Sequence, residues 1–450
     1  MHKPILAVAL ILTATLLFAP APRAHAQADL PVILPMRERA AVVDGWLERR
    51  FETVIPALMR REGIDLWIIS AREYNEDPVI ETMLPATWLA ARRRTILVFF
   101  DQGSDQGVER LAVARYNIGT SFKASWAPEE EPDQWKRLAQ VIEARDPQRI
   151  ALNRSATFAL ADGLTDTEYD AFQAALPERF HNRLVSGEPL AIGWLETRTP
   201  EEMAVYPMIV RLARQIIHEG LSEKVIQPGV TTTADVEWWY RDRIEALKLD
   251  TWFHPSVDIQ RDDTGERSGD FSARAGEKVI LPGDLLHVDF GITYLRFNTD
   301  TQQHAYVLKP EETNAPDGLV KALAVGNRLQ DILTGQFKTG RSGNDILAAA
   351  LDQARNEGIK ATIYTHPIGF HGHAAGPTIG LWDQQGGLPG RGDYPLYPHT
   401  AHSIELNAAV KIPEWGGKEV RIMLEEDAYF DGEGVWYIDP RQTEMLLIPR

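Results

Sequence analysis

The 450-residue chain contains no cysteine. Disulfides and thiolate metal ligands are thereby excluded, and stability has to come from core burial. Past its first residues it has no apolar run near the roughly 18 residues a membrane helix needs. Basic residues are also scarce: 47 Lys and Arg stand against 64 Asp and Glu, a formal charge of −17. That balance argues against a nucleic-acid partner, because phosphate binding calls for a basic face. The acid excess reads as a solubilising surface.

The first residues read as an export signal. His2 and Lys3 precede an apolar run from Ile5 to Phe18, and Ala24-His25-Ala26 places small residues at −3 and −1 of a cleavage site after Ala26. The apolar run is too short for a membrane span. The mature chain is expected to be exported, periplasmic or secreted, with no membrane span. Removing Lys3 and Arg23 with residues 1–26 takes the charge to −19. About 420 residues remain, ample for two domains.

Residues 37–64 predict a helix, with Val43, Trp46, Leu47, Phe51, Val54, Ile55 and Leu58 at helical spacing. Short apolar runs at 66–69, 95–100, 110–114 and 149–152 predict strands, with a helix over 134–144 between them. Strands alternating with helices indicate an α/β domain over 30–190. A boundary falls near 186–200. There Ser186-Gly187-Glu188-Pro189 is turn-like, and Thr199-Pro200-Glu201-Glu202 starts a helix with Pro in its first turn. Helices are expected over 201–225, 231–247, 315–334 and 342–357, and strands over 285–290, 305–308, 403–406, 420–424 and 428–430. The Gly/Pro-rich stretch 383–399 reads as a surface loop or an active-site rim.

Within the second half, acids sit in apolar strands. Asp289 ends Leu285-Leu286-His287-Val288, and Asp300 follows eleven residues later. Glu405 interrupts Ser403-Ile404-Glu405-Leu406, and Glu425 and Glu426 close the run from Val420 to Leu424. Burying an ionised carboxylate costs several kcal/mol unless a partner or a metal holds it. An Asp capping the Gly291 turn is the bland alternative for Asp289. Alternation puts Glu425 on one face with Asp427 and Tyr429, and Glu426 on the other with Ala428 and Phe430. Glu425 is the preferred ligand of the two. The segment 365–376 adds His366, His371 and His373 among glycines, which allow close backbone approach. Oxygen and nitrogen donors without sulfur suit a pair of divalent ions such as Mn²⁺, Zn²⁺ or Co²⁺.

The eleven-residue spacing in DFGITYLRFNTD, followed by the His-rich loop and the two glutamate strands, resembles the pita-bread metallopeptidases: aminopeptidase P, prolidase, methionine aminopeptidase and creatinase. The resemblance covers 195–450 and implies an α+β pita-bread catalytic domain. Residues 30–190 resemble the smaller creatinase-type α/β domain that precedes it. The implied ligands are Asp289, Asp300, one loop histidine, Glu405 and Glu425. They would hold two divalent ions, Mn²⁺ first, with a bridging water as nucleophile and Glu405 as its general base. Gly372-His373-Ala374-Ala375-Gly376 fits the family loop Gly-His-x-x-Gly, so His373 is the preferred loop ligand, with His371 as the alternative.

Two family histidines are missing from the places the resemblance assigns them. The region about twenty residues before Asp289 reads Asp270-Phe271-Ser272, and that after the loop reads Leu381-Trp382-Asp383. His254, His366, His371 and His402 are the candidates to take over proton transfer, with His254 and His366 preferred. The resulting expectation is an exported, dinuclear metal-dependent peptidase acting on short peptides, similar to Xaa-Pro aminopeptidase or prolidase. A homodimer follows from the resemblance alone. The rivals are a creatinase-like hydrolase without metals, and a binding protein that kept the fold and lost turnover.

Overall fold

The computed structural model describes residues 30–262 and 277–449. Residues 1–26, expected to be an export signal, and the stretch Asp270-Phe271-Ser272 lie outside the described residues. None of the described helices is long and apolar enough to cross a membrane. Residues from Val32 onward form one compact unit.

The opening helix is Met36–Glu62, close to expectation. Val43, Leu47, Phe51, Val54, Ile55 and Leu58 form its buried stripe, each worth about 1.5–3 kcal/mol of burial. Gly63 ends it in the left-handed region at φ 63°, with its N–H returned to the last turn. The helix packs on a six-stranded sheet in the order Lys123–Ala124, Val108–Ala112, Arg94–Asp101, Leu66–Arg72, Ile150–Leu152, Leu184–Ser186. Apolar clusters cover both faces of this sheet, one around Phe51, Trp67, Phe99 and Trp194, the other around Ile68, Val98, Leu138 and Phe172. The expected strands are present, with the third shifted to Val108–Ala112.

Thr199 caps the next helix through a capping box with Glu202, and Pro200 occupies its first position. The single helix expected over 201–225 is instead two, Pro200–Met203 and Tyr206–Gly220. Pro207 is the reason: it has no N–H for the Met203 carbonyl, and its ring crowds that carbonyl. The helices Thr233–Ala246, Asp317–Thr334 and Gly343–Asn356 match their expected positions within a few residues.

The second half builds three main sheets. One orders Leu446–Ile448, Thr301–Val307, Leu285–Phe290 and Ser256–Gln260. A three-stranded sheet holds Lys360–Ile363, Leu406–Ile412 and Lys418–Leu424. A four-stranded sheet holds His366–Pro367, Thr400–Ser403, Asp427–Phe430 and Val435–Tyr437. These last two are connected through the chain. Three strands of one run on into three strands of the other, and each is interrupted on the way, at 364–365, 404–405 and 425–426. The strand expected over 403–406 is therefore two strand ends around a gap at Ile404 and Glu405. The helices Asp317–Thr334 and Gly343–Asn356 pack over the three-stranded sheet, with Leu323, Leu347, Leu406 and Ile422 in the shared core.

The two halves meet around Phe370. Arg50 from the opening helix and Arg198 both stack on its ring, at 4.9 and 4.7 Å from the centroid. Arg50 Nη1 donates to both carboxylate oxygens of Glu202, and Arg198 stacks also on Phe297.

Candidate metal centre

The ten residues between Asp289 and Asp300 form an excursion that returns on itself. Thr293–Tyr294 pairs with Phe297–Asn298 across Leu295 and Arg296, both at positive φ, a tight two-residue turn. The chain then re-enters antiparallel to the strand it left, with Gln302 opposite Asp289. The two aspartates are brought side by side by this return. Gly291 has to be glycine, because a Cβ there would lie 2.3 Å from the Thr299 carbonyl oxygen.

Glu405 and Glu425 sit in two of the strand interruptions, and His366 directly follows the third. An interruption frees a residue from the ladder and lets its side chain turn to a common point. The result is three overlapping groups whose ligand atoms lie within 4.8 Å of one another: Asp289, Asp300 and Glu425; His366, Glu405 and Glu425; Asp300, His366 and His373. His366 Nε2 lies 3.3 Å from Glu425, 3.6 Å from Asp300 and 4.0 Å from Glu405.

The donors fit divalent cations. His366 Nε2, Asp289 Oδ1 and Asp300 Oδ1 are buried and make no hydrogen bond. Burial pushes the carboxyls of Asp289, Asp300 and Glu405 well above the usual carboxylate range. The negative charge of Glu425 adds to this at all three. So much converging negative charge out of water calls for a compensating cation.

The structure distributes the loop histidines differently from the preferred sequence reading. His366, expected as a proton carrier, faces three of the carboxylates. His373, the preferred loop ligand, is exposed, sits ring-on-edge to His366 at 4.6 Å, and joins only the group with Asp300. Its imidazole is pushed down to about 4, by partial burial first and then by His366. His371 is in none of the groups. It lies near Arg198 and is pushed down to about 4 by burial and that guanidinium. His254 is likewise outside the groups, against Trp238, Glu237 and Arg241. His402 is buried beside Phe337.

Glu425 and Glu426 point to opposite sides, as strand alternation requires. Glu425 Oε1 accepts from Ser403 Oγ at 2.7 Å, and Oε2 from Gln302 Nε2 at 2.7 Å. Glu426 Oε1 instead accepts the Gln442 N–H, and burial pushes its carboxyl up to about 8. Glu425→Ala is accordingly expected to remove metal binding measured by calorimetry, while Glu426→Ala keeps it and lowers the melting temperature. The reverse pattern would show that the facing side chain is not the ligand.

Sequence reasoning missed Gln302 and Asp427. Asp427 accepts the Asp300 N–H, at 3.3 Å to Oδ2. Gln302 stands two residues past Asp300, a same-face position that alternation alone could have singled out.

The cleft wall near His373 is aromatic. Trp252 lies at 5.1 Å from the His373 ring and donates its indole N–H to the Thr299 carbonyl. Gly372 has to be glycine here, since a Cβ would lie 2.3 Å from the Trp252 ring. The loop 383–399 is pinned to the helix Gly343–Asn356 through Asn344, which bonds Leu388 and Asp393. Its Arg391 is close enough to help depress His373. Trp382 is 46% exposed.

Residues 209–429 match the model of metallopeptidase family M24. They form an M24 metallopeptidase domain. Solved structures share its fold along nearly the whole chain. An X-Pro aminopeptidase from Thermotoga maritima matches at 16% identity and TM-score 0.61, over 87% of this chain and 99% of its own. An Xaa-Pro dipeptidase from Bacillus anthracis matches at 18% and 0.54, over 92% and 100%. Dipeptidase PepE from Mycobacterium ulcerans matches at 17% and 0.57, over 91% and 99%. No curated protein sequence matches the chain. The pita-bread fold expected of the second half, preceded by a mixed α/β half, is thus the observed one.

Proposed function

We propose that the protein is an exported dinuclear metallopeptidase that hydrolyses short peptides, with proline near the scissile bond as the preferred substrate feature. The single observation that carries the reading is the convergence of Asp289, Asp300, His366, Glu405 and Glu425 in overlapping ligand groups joined through Glu425. Two divalent ions, Mn²⁺ first, would be held by these five side chains. When bound, they would acidify a water and polarise the scissile carbonyl.

The chain's own residues supply the rest. Glu405, the most accessible of the clustered glutamates with 17% of its side chain exposed, is placed to take the proton of the attacking water as general base. His373, exposed at the edge and kept neutral by its surroundings, is placed to hold or pass a proton to the substrate. With His366 as the ligand, His373 is the histidine that resemblance expects a few residues later. Its place is thereby filled from within the loop, and Leu381-Trp382-Asp383 is not needed for it. That weakens the binding-protein reading. Trp252 and, through Arg391, the loop 383–399 flank His373 and would help to shape an entrance for small substrates.

Three histidine variants separate these roles. His366→Ala is expected to lose metal and activity together. His373→Ala should keep metal and lose about 10²–10⁴-fold in turnover, the usual share of a proton-transferring group. His371→Ala should keep both. Metal titration and turnover on the same preparations check the assignment, and metal loss in His373→Ala alone would return the ligand role to His373.

The function itself is tested on a panel of dipeptides, tripeptides and Xaa-Pro peptides with Mn²⁺-loaded protein. Cleavage dependent on the ion is expected, and no cleavage of any member would leave the binding-protein reading standing. Export is proposed from the sequence alone. N-terminal sequencing of exported protein should begin at Gln27, and an uncleaved membrane-held form would overturn it.

A further inference from the structure

One side chain touches both glutamates of the centre and is no ligand itself. Gln302, 3% exposed, donates from Nε2 to Glu405 Oε1 at 2.5 Å and to Glu425 Oε2 at 2.7 Å. Its Oε1 lies 2.8 Å from His287 Nε2. Its backbone N–H donates to the Glu425 carbonyl at 3.0 Å. Gln302 belongs to the strand Thr301–Val307, whereas Glu405 and Glu425 lie in the interruptions of two other strands. One amide therefore ties together three strands at the level of the centre.

We infer that Gln302, oriented by His287, is the positioning residue that sets the two glutamates for cation binding. The inference rests on the metal-centre reading above. A primary amide has two N–H donors on one end and an acceptor on the other. Carboxylates only accept, so the amine end has to face Glu405 and Glu425. A flipped amide would set Oε1 against two carboxylates. His287 prevents the flip: facing Oε1, its Nε2 has to carry the hydrogen and donate it. His287 is itself fixed on the strand Leu285–Phe290, opposite His304 in the ladder and 5.3 Å from its ring.

Charge makes an amide better suited to this place than a lysine or arginine. A cationic donor would neutralise the glutamates and compete with the ions. Gln302 fixes one oxygen of each carboxylate and leaves both negative charges to the cations. Groups that orient metal-bound carboxylates in this way are typically worth 10–100-fold in affinity.

The experiment titrates the full chain, stripped with chelator, with Mn²⁺ by calorimetry and records the melting temperature of each metal-free variant. Gln302→Met, which keeps the volume and loses both donors, is expected to weaken Mn²⁺ binding ~10–100-fold. His287→Phe, which keeps a ring and loses the N–H, should weaken it less, about 3–10-fold, because the amide is then free to flip. His287→Gln, which keeps a donor at that reach, should restore the parental affinity. A packing role alone would lower melting temperatures without this rescue. Parental affinity in Gln302→Met overturns the inference, as does His287→Gln binding no better than His287→Phe. If Gln302→Met does not fold, the histidine pair decides. A parent chain that binds no Mn²⁺ overturns the metal-centre reading itself and this inference with it. Normal binding in both parent and Gln302→Met removes this inference alone.

Discussion

Asp300→Ala is expected to bring Mn²⁺-dependent peptide cleavage down to the level of metal-free protein. The loss should exceed the ~10²–10⁴-fold that a proton-transferring side chain alone supplies. Asp300 belongs to two of the three ligand groups, and its Oδ1 is buried without a hydrogen bond. Its removal takes one anion from each group. Misfolding is not the expected cause. Asp289, Glu405, Glu425 and Asp427 all repel the Asp300 charge, so the metal-free variant should melt no lower than its parent. Turnover with added Mn²⁺ and melting without it check the two halves of this result. A variant keeping a tenth of parental turnover would remove Asp300 from the centre.

The second large effect is on stability against pH. Burial holds the carboxyls of Asp289, Asp300, Glu405 and Asp427 well above the usual range, and that of Glu426 at about 8. In the unfolded chain the same groups lose their protons near pH ~4. Between those limits the folded chain binds more protons than the unfolded one, so its stability falls as pH rises. A tenfold difference in proton affinity between the folded and unfolded chain is worth about 1.4 kcal/mol for each group. Metal-free protein is therefore expected to melt roughly 5 °C or more lower at pH 9 than at pH 5. Divalent ions at neutral pH and above replace the missing protons and should remove most of that drop. A melting temperature that rises with pH in the presence of chelator would contradict the burial of this charge.

The fold was readable wherever the periodicity was continuous. The stripe of Met36–Glu62, the strand Leu285–Phe290 and the helices Thr233–Ala246 and Asp317–Thr334 follow directly from apolar spacing. It failed where one residue breaks a pattern for a local reason. Pro207 divides a helix that composition alone makes continuous, and the gap at Ile404 and Glu405 divides a strand. The acids of the centre were legible because ionised side chains in apolar strands need an explanation. Choosing Glu425 over Glu426 needed only the two-residue alternation.

The histidine was harder. Which member of HPIGFHGH reaches the carboxylates depends on where the strand Lys360–Ile363 gives way to His366–Pro367 and on the ladder that sets His366 opposite Ser403. Local spacing carries no record of that register. The glycine spacing drew attention to His373, whereas glycine at 372 answers to the Trp252 ring. Gln302 escaped notice because a buried glutamine has no charge to account for, and only its three partners show its role.

The stacking of Arg50 and Arg198 on Phe370 bears on the order of assembly. The segment that carries His366 and His373 is clamped by side chains from distant parts of the sequence. Such non-local contacts close late, after the entropy of a long intervening chain has been lost. The sheets of the second half can therefore form, with their acids and His366 in register, before Phe370 is covered by Arg50. Closure of Arg50 over Phe370 is then expected to come late, and a chain cut between its halves should keep the acids and His366 in register while losing the Arg50 side of the clamp.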